Sequence, residues 1–446
     1  MSRRYSYWVN AGKYAMLQKL TSILLGLLAF MILARNFIPE EFGVWGLFII
    51  ITSIFETCRN ALVRNGYILF INSRPDDLHP AVDAAALTTN ILFTLLLLVV
   101  CIFFGRGLEQ LFNSPGLMQM LLYYSIGLVL LVAYSYCENF LYSKTDFRAI
   151  FWMYFLRNVF FLLSVLGFYL SGFKLSLGNA VLFYAASLIP GLLAGYFFYR
   201  QYGLISFRHS PVMLKEFLHY GKYVLGNNFF SLVFVSTDSF MTARYVSTVA
   251  LSYYNTGARI LNFADIPSQV LGDMMFPKAA QLVKNGTDGD LRKIYGKTVA
   301  AALTFILPVI LMVLLFSEEI IILLVGGQYL PGTLILRMVI FYALFLPFIK
   351  QFGNIMDARG RPHVNFWLMF SFSVYNILSN LFFISHFGMR GAAMGTLSSY
   401  LLLFIITQVI LNRVLGVRVT DVLRYVVQLY PEYYRMLRQF IKPQKS

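Results

Sequence analysis

The strongest constraint on this chain is a pattern in which apolar runs recur from end to end, separated by short charged connections. A helix rises about 1.5 Å per residue, so a run of some 20 residues matches the roughly 30 Å hydrocarbon core of a bilayer. The runs predict transmembrane helices at 14–34, 42–63, 84–104, 117–137, 150–171, 177–199, 222–243, 250–276, 299–325, 333–356, 364–385 and 391–412. A soluble chain of 446 residues needs more charge to cover its surface than 13%, and this one is 59% hydrophobic with a mean hydropathy of +0.68. The expected fold class is therefore an all-α integral membrane protein with about twelve transmembrane helices. Gly, Ser, Asn and Pro interrupt several spans, which suits helices packed around a cavity.

The first residues, Met1 to Trp8, are basic and aromatic, but no small-residue cleavage site follows a short apolar core. The first span therefore reads as a retained helix rather than a cleaved signal. Cys58, Cys101 and Cys137 fall in or beside spans without CxxC spacing, which indicates neither a disulfide framework nor a zinc site.

Charge placement gives an orientation. With a cytoplasmic N-terminus, only Arg35, Arg106, Lys174, Arg244 and Arg390 of the 36 Lys and Arg fall in the outer connections. Lys19, Arg59, Arg157, Arg259, Arg337 and Lys350 fall within spans. The remainder, Arg200, Arg208, Lys215, Lys278, Lys284, Arg292, Lys293 and Lys297 among them, fall in the tails and the even-numbered connections. That asymmetry predicts both termini in the cytoplasm. The formal charge of +16 thus reads as a topology signal facing anionic lipid, and a nucleic-acid partner is not expected.

The chain also repeats itself. Gly12-Lys13-Tyr14 returns as Gly221-Lys222-Tyr223, Ser22 as Ser231, and Ala34-Arg35 as Ala243-Arg244. The same offset sets Trp45 on Tyr254, Asn60 on Gln269 and Ala29 on Asp238; a slightly longer one pairs Phe151-Trp152 with Phe366-Trp367. Two six-helix halves follow. Because six is even, both enter the membrane from the same side, as parallel repeats with a substrate path between them. The predicted domains are a six-helix lobe at 1–210, a second at 211–412 around a shared central cavity, and a basic amphipathic cytoplasmic tail at 413–446. The basic, Pro-containing stretch from Arg200 to Lys222 is the expected hinge, and a transporter is the leading class.

Charges inside spans are expensive, roughly 2.5–3.5 kcal/mol each at the helix centre, and should face protein or water. Lys19, Arg59, Glu138 and Asp273 lie near cytoplasmic ends, where long side chains can reach the interface. Glu56 and Arg59, three apart on one helix, form either a local pair or part of a site. Arg157, Arg259 and Arg337 are deeper. On the eighth span Asn255, Arg259, Asn262, Gln269 and Asp273 share one face, and Pro267 interrupts the helix between them. Such a stripe packs on a polar helix or lines a water-filled cavity. The seventh span adds Asn227, Ser231 and Asp238 on one face; on the tenth, Arg337 and Gln351 share a face while Lys350 points elsewhere. Arginines suit an anionic head group, because the guanidinium holds phosphate oxygens two at a time. The substrate-path candidates are therefore Arg259, Asn255, Asn262, Gln269, Asp273, Arg157, Arg337, Arg59 and Lys19. No catalytic set, P-loop or nucleotide fingerprint is present, so an enzyme is not expected. The segment from Asn412 to Ser446 reads as one or two amphipathic helices on the cytoplasmic leaflet.

Four stretches carry a resemblance: "IPEEFGVWGLF" (Ile38 to Phe48), Val249 to Gln281, "MDARGRPHVNFW" (Met356 to Trp367) and "FGMRGAAMGTLSSY" (Phe387 to Tyr400). They resemble polysaccharide, or O-antigen, flippases of the multidrug/oligosaccharidyl-lipid/polysaccharide exporter superfamily. The resemblance implies a monomeric flippase that moves a polyprenyl-diphosphate-linked oligosaccharide across a bacterial inner membrane by alternating access, beside a polysaccharide polymerase. It also implies a coupling-ion site. Lipid II flippases of the superfamily hold sodium with an Asp on helix seven, an Asn and an Asp one turn apart on helix eleven, and a Thr on helix twelve. Asp238, Asn376, Asn380 and Thr396 are similarly placed, with Asn380 where the family example has its second acid, so Na⁺ or H⁺ is the expected ion and no other cofactor is. A multidrug cation antiporter of the same superfamily is the alternative, and an embedded glycan-processing enzyme a more distant one. The additional lipid groove of the fourteen-helix relatives is expected to be absent.

Overall fold

A computed structural model describes residues 2–202, 207–359 and 361–441 of the chain. Side chains within that range are described except at 2–12, 15, 65, 72–73, 222–224, 226–235, 273–274, 277, 280–281, 284–285, 362 and 432–441. Among the described residues every regular element is helical.

The helices run α1 (Ser2–Asn36), α2 (Pro39–Ser73), α3 (His79–Val99), α4 (Gly105–Leu111), α5 (Leu117–Ser143), α6 (Phe147–Leu170), α7 (Leu177–Ala186), α8 (Leu188–Tyr199) and α9 (Pro211–Tyr245). They continue as α10 (Thr248–Ala264), α11 (Ile266–Asn285), α12 (Asp288–Leu315), α13 (Ser317–Leu324), α14 (Thr333–Val339), α15 (Leu346–Ala358), α16 (Pro362–Phe387), α17 (Met389–Leu415) and α18 (Val419–Ile441). Several helices follow one another with only a short interruption. A π-helical turn at Val100–Phe104 joins α3 to α4, α7 leads into α8, α10 into α11, and 3₁₀ turns link α14 to α15. The pattern is an all-α integral membrane protein, with 10 helices among the described residues long and apolar enough to cross a bilayer. The spans outside that set are the seventh, α9, and the eighth, α10–α11. The latter fails for a visible reason: it is split at Asp265, and both pieces are rich in polar side chains.

Helix starts follow local chemistry. Asp146, Ser176, Ser247 and Thr287 accept hydrogen bonds from first-turn amides of α6, α7, α10 and α12. Pro39, Pro80, Pro267 and Pro347 occupy first-turn positions, where the missing N–H costs nothing.

The chain divides into two compact units, residues 1–232 and 233–446. The division falls inside α9. In unit 1, α1 lies along α6, α6 along α8, and α5 against α2, α3, α7 and α8. Its centre is an aromatic knot of Trp45, Phe48, Tyr124, Phe161 and Tyr184. In unit 2 one core gathers Met275, Tyr295, Val299, Phe352, Ile355, Leu411, Val422 and Val426. The last two belong to α18. That helix is thus not simply laid on a membrane surface, as the sequence pattern suggested: its apolar face is built into the unit, alongside α12. Arg292 of α12 meets Asp421, Gly296 takes the ring of Tyr425, and Tyr430 Oη donates to Thr304 O at 3.3 Å. The three contacts advance together along both helices, so the two run parallel.

One approach is closer than ordinary helix packing. A Cβ on Gly391 would stand 2.1 Å from Phe383 O, and one on Gly395 3.0 Å from Asn380 Cα and Oδ1. These two glycines let the α17 backbone rest directly on α16.

Candidate functional site

The tight α16–α17 contact builds a buried polar cluster in unit 2. Asp238, 6% exposed on α9, accepts from Tyr254 Oη of α10 at 2.8 Å and from Asn380 Nδ2 of α16 at 3.0 Å. Asn380 Nδ2 is shared, donating also to Asn376 O at 3.0 Å and Asn376 Oδ1 at 3.1 Å. Asn376 Nδ2 donates to Ser399 Oγ of α17 at 3.3 Å. Thr396, 1% exposed on α17, lies beside the carboxylate. Asn380 Oδ1 is buried without a hydrogen-bond partner among the described residues, and the Thr396 hydroxyl stands between the Asp238 carboxylate and the Tyr342 hydroxyl. Tyr342 and Tyr400 stack at 5.3 Å against the same helices, and Tyr342 Oη ties α17 down through Ala393 O at 2.7 Å.

The structure thus brings Asp238, Asn376, Asn380 and Thr396 together. It adds Tyr254, which the sequence reading had noted only as the repeat counterpart of Trp45. Among the described residues no Lys or Arg forms an ion pair with Asp238. A buried carboxylate without a counter-charge is costly, and unsatisfied buried oxygens add to that cost. Asn227 and Ser231, assigned to the same face of the seventh span, lie outside the described side chains.

A second constellation sits where the eighth span breaks. Asp265 closes α10 and precedes α11, and its Oδ2 takes Gln269 Nε2 at 3.0 Å and the ammonium of Lys350 on α15. Gln351 Nε2 donates to Ser268 O at 3.1 Å and Asn354 Nδ2 to Gly272 O at 3.3 Å, so α15 is bonded to the break and to the first turns of α11. Lys350, expected to point away from the polar face, is therefore the counter-ion of that break. The stripe is divided accordingly. Asn255 and Arg259 are half-buried and Asn262 exposed on α10, Gln269 is exposed on α11, and the side chain of Asp273 lies outside the described residues.

The other intramembrane cations are mostly neutralised. Arg157 Nη2 meets Glu56 Oε1 at 3.2 Å and Tyr184 Oη at 3.2 Å. Glu56 therefore pairs across helices and not with Arg59, its neighbour one turn along. Arg59 is 2% exposed and does not snorkel; its Nη1 donates to Asn90 Oδ1 at 2.8 Å. Glu138 does not snorkel either: Arg64 Nη2 reaches it at 2.6 Å and Tyr154 Oη donates to it. Arg337 is shallower than its place in the span suggested, with its side chain 43% exposed beside Ser317 Oγ at 2.7 Å and Glu318 at 3.8 Å. Lys19 is exposed on α1. Sequence reasoning missed Asp83, a buried acid of α3 that accepts from Tyr67 Oη at 2.6 Å and Tyr136 Oη at 3.2 Å. Its position at the edge of an apolar run had placed it outside the span.

Comparison with known proteins supplies the wider frame. The family model described as "Polysaccharide biosynthesis protein" matches residues 32–333. An uncharacterized membrane protein of Methanocaldococcus jannaschii is 25% identical over 207 residues, 46% of this chain and 41% of its own length. The "Probable low-salt glycan biosynthesis flippase Agl15" of Haloferax volcanii is 22% identical over 226 residues, 48% of this chain and 47% of its own. The chain thus matches less than half the length of either curated relative. Among solved structures, an inward-facing multidrug resistance MATE family transporter of the MOP superfamily superposes with a TM-score of 0.75 at 14% identity, covering 90% of this chain and 98% of its own. The lipid II flippase MurJ in an inward closed conformation gives a TM-score of 0.75 at 15% identity, covering 97% and 93%. Both likenesses show a shared fold.

Proposed function

This chain belongs to the polysaccharide biosynthesis protein family, and on that premise we propose that it is a flippase, not an enzyme, which carries a polyprenyl-diphosphate-linked oligosaccharide across the cytoplasmic membrane by alternating access. The observation that carries the reading is the family match over residues 32–333, joined to a fold shared with MATE exporters and a lipid II flippase. In this reading both termini are cytoplasmic, and lobes 1–210 and 211–412 rock about the connection between them. Arg259, flanked on α10 by Asn255 and Asn262, is the anion contact we assign to the path, since a guanidinium grips a diphosphate through paired donors. The multidrug antiporter alternative fits less well, because a cationic drug calls for exposed acids and those described inside the spans are tied up by arginines, tyrosines or Lys350.

The Asp238 cluster is the ion site in this proposal. Its donor set is one carboxylate, the amide oxygens of Asn376 and Asn380, and the Thr396 hydroxyl, a hard-oxygen set suited to Na⁺. In this structure Asn380 Nδ2 lies among the very oxygens a cation needs, and Asn380 Oδ1 is left without a partner. A half-turn of that amide exchanges the two and makes the cluster all-oxygen. Bound Na⁺ would supply the missing positive charge. Tyr254 Oη donates to the carboxylate from α10 and so fixes its position in the cluster.

The decisive experiment reconstitutes the protein in liposomes with a fluorescent polyprenyl-diphosphate oligosaccharide and follows its accessibility to an external quencher. Wild type should equilibrate the lipid between leaflets, and Arg259→Ala should slow that at least tenfold while folding normally. Lipid movement no faster than in protein-free vesicles would overturn the flippase reading.

A further inference from the structure

We infer that unit 1 contains a binding site for a small inorganic monoanion such as chloride, built around Arg59. The proposal is separate from the substrate path and from the Asp238 cluster, and it rests on an enclosed guanidinium with unused donors inside one unit. Arg59, on α2, is 2% exposed. Of its donors, Nη1 gives to Asn90 Oδ1 at 2.8 Å, while Nε and Nη2 have no partner among the described residues. A guanidinium does not deprotonate to relieve this, so the charge stays.

The neighbours cannot balance it. Asn90 is a neutral acceptor, and its orientation is locked because Nδ2 donates to Ser135 Oγ at 2.6 Å and Val132 O at 3.1 Å on α5. Glu56, one turn before Arg59, is within electrostatic reach, but its Oε1 already takes Arg157 at 3.2 Å and Tyr124 Oη at 3.3 Å. The group holds two guanidiniums and one carboxylate, a net charge of +1, and within it Arg59 is fully enclosed while the Glu56 side chain is 29% exposed. Isolated buried charges of this kind are strongly disfavoured, and buried donors in folded proteins are almost always satisfied. The spare donors are thus the Nε and Nη2 groups of Arg59 itself. A compact, singly charged acceptor answers both the excess charge and the spare donors. The diphosphate of a transported lipid does not, because the guanidinium is closed off from any surface such a group could approach.

The test uses the full-length protein in detergent at constant sodium concentration, so that the Asp238 site is held fixed while the anion is varied. Gluconate, too large for an enclosed site, is exchanged stepwise for chloride or bromide, and the thermal unfolding midpoint is followed. The expected result is a saturable rise of about 2–4 °C with the halides, by mass action on the folded state. Arg59→Gln should abolish the dependence, and Glu56→Gln, which raises the local charge, should shift half-saturation to lower chloride. Bromide soaked into crystals should give an anomalous peak beside Arg59. No difference between gluconate and the halides in wild type overturns the proposal, whether or not the variants fold. So does a halide effect that persists unchanged in Arg59→Gln.

Discussion

Thr396 places a buried hydroxyl beside a carboxylate that already receives Tyr254 and Asn380. If the cluster holds Na⁺, each oxygen should register separately. Asp238→Asn keeps the shape and removes the charge, so sodium-dependent flipping should be lost with little change in folding; flipping that still follows the sodium gradient would make the acid structural. Asn380→Asp adds a second carboxylate, and half-maximal activation should fall to at least tenfold lower sodium, because a second charge strengthens binding of a hard cation. Thr396→Val should move it the other way. Tyr254→Phe removes a donor from the buried carboxylate and should cost about 1–3 kcal/mol, measured by thermal unfolding. Under the repeat, Asp238 and Tyr254 fall on Ala29 and Trp45 of the first half, both buried and neither able to hold a cation. The acid was legible as a charge in an apolar span. Its tyrosine was not singled out, because phenols are common in membrane helices and only tertiary packing says which one faces an acid.

The helices carry the next level of control. Gly395 holds α17 against Asn380, so Gly395→Ala should push the amide away and raise the sodium needed for half-activation, leaving substrate dependence unchanged. Gly391→Ala meets the Phe383 carbonyl head-on and should instead unfold the pair, with a loss of thermal stability of about 1–3 kcal/mol. At the break between α10 and α11, Lys350→Met strips the counter-ion from Asp265, whose side chain is 5% exposed. That variant should be less stable than the double variant Lys350→Met/Asp265→Asn, with a coupling of about 0.5–3 kcal/mol in a double-mutant cycle. The sequence marked this break through Pro267 but assigned the pause to proline alone. The structure puts proline in the harmless first turn and gives the break itself to an ion pair contributed by α15, a partner some eighty residues away that helical periodicity cannot reveal. For α18, the Arg292 guanidinium bonded to Asp421 holds that carboxyl below its ordinary range. The contact's contribution is present above the ordinary carboxylate range and fades as pH falls through the lowered value. Proteolysis of the C-terminal segment should therefore stay slow at neutral pH and quicken only below about pH 4, with Asp421→Asn showing the faster rate throughout.

At the scale of the whole molecule, alternating hydropathy made the helical membrane class and the run of spans readable, because each span needs only length and apolarity. The departures lie where function or packing overrides that rule: the eighth span is too polar and broken to meet it, and α18, polar enough to be read as a surface helix, is stitched to α12 by Val422, Val426 and Tyr425. Orientation rests on charge alone and can be tested without knowing the substrate. Lys and Arg resist translocation, so the connections bearing Arg106, Lys174 and Arg390, poor in positive charge, should face outward, and those around Arg208 and Lys297 inward. Cys101 and Cys137 are buried and Cys58 half-buried, so a Cys58→Ser background limits unwanted labelling. A membrane-impermeant maleimide should then modify Arg106→Cys, Lys174→Cys and Arg390→Cys in intact cells. Arg208→Cys should react only after permeabilisation. The reverse pattern would invert the molecule, and with it the leaflet from which the Arg259 face first meets its lipid.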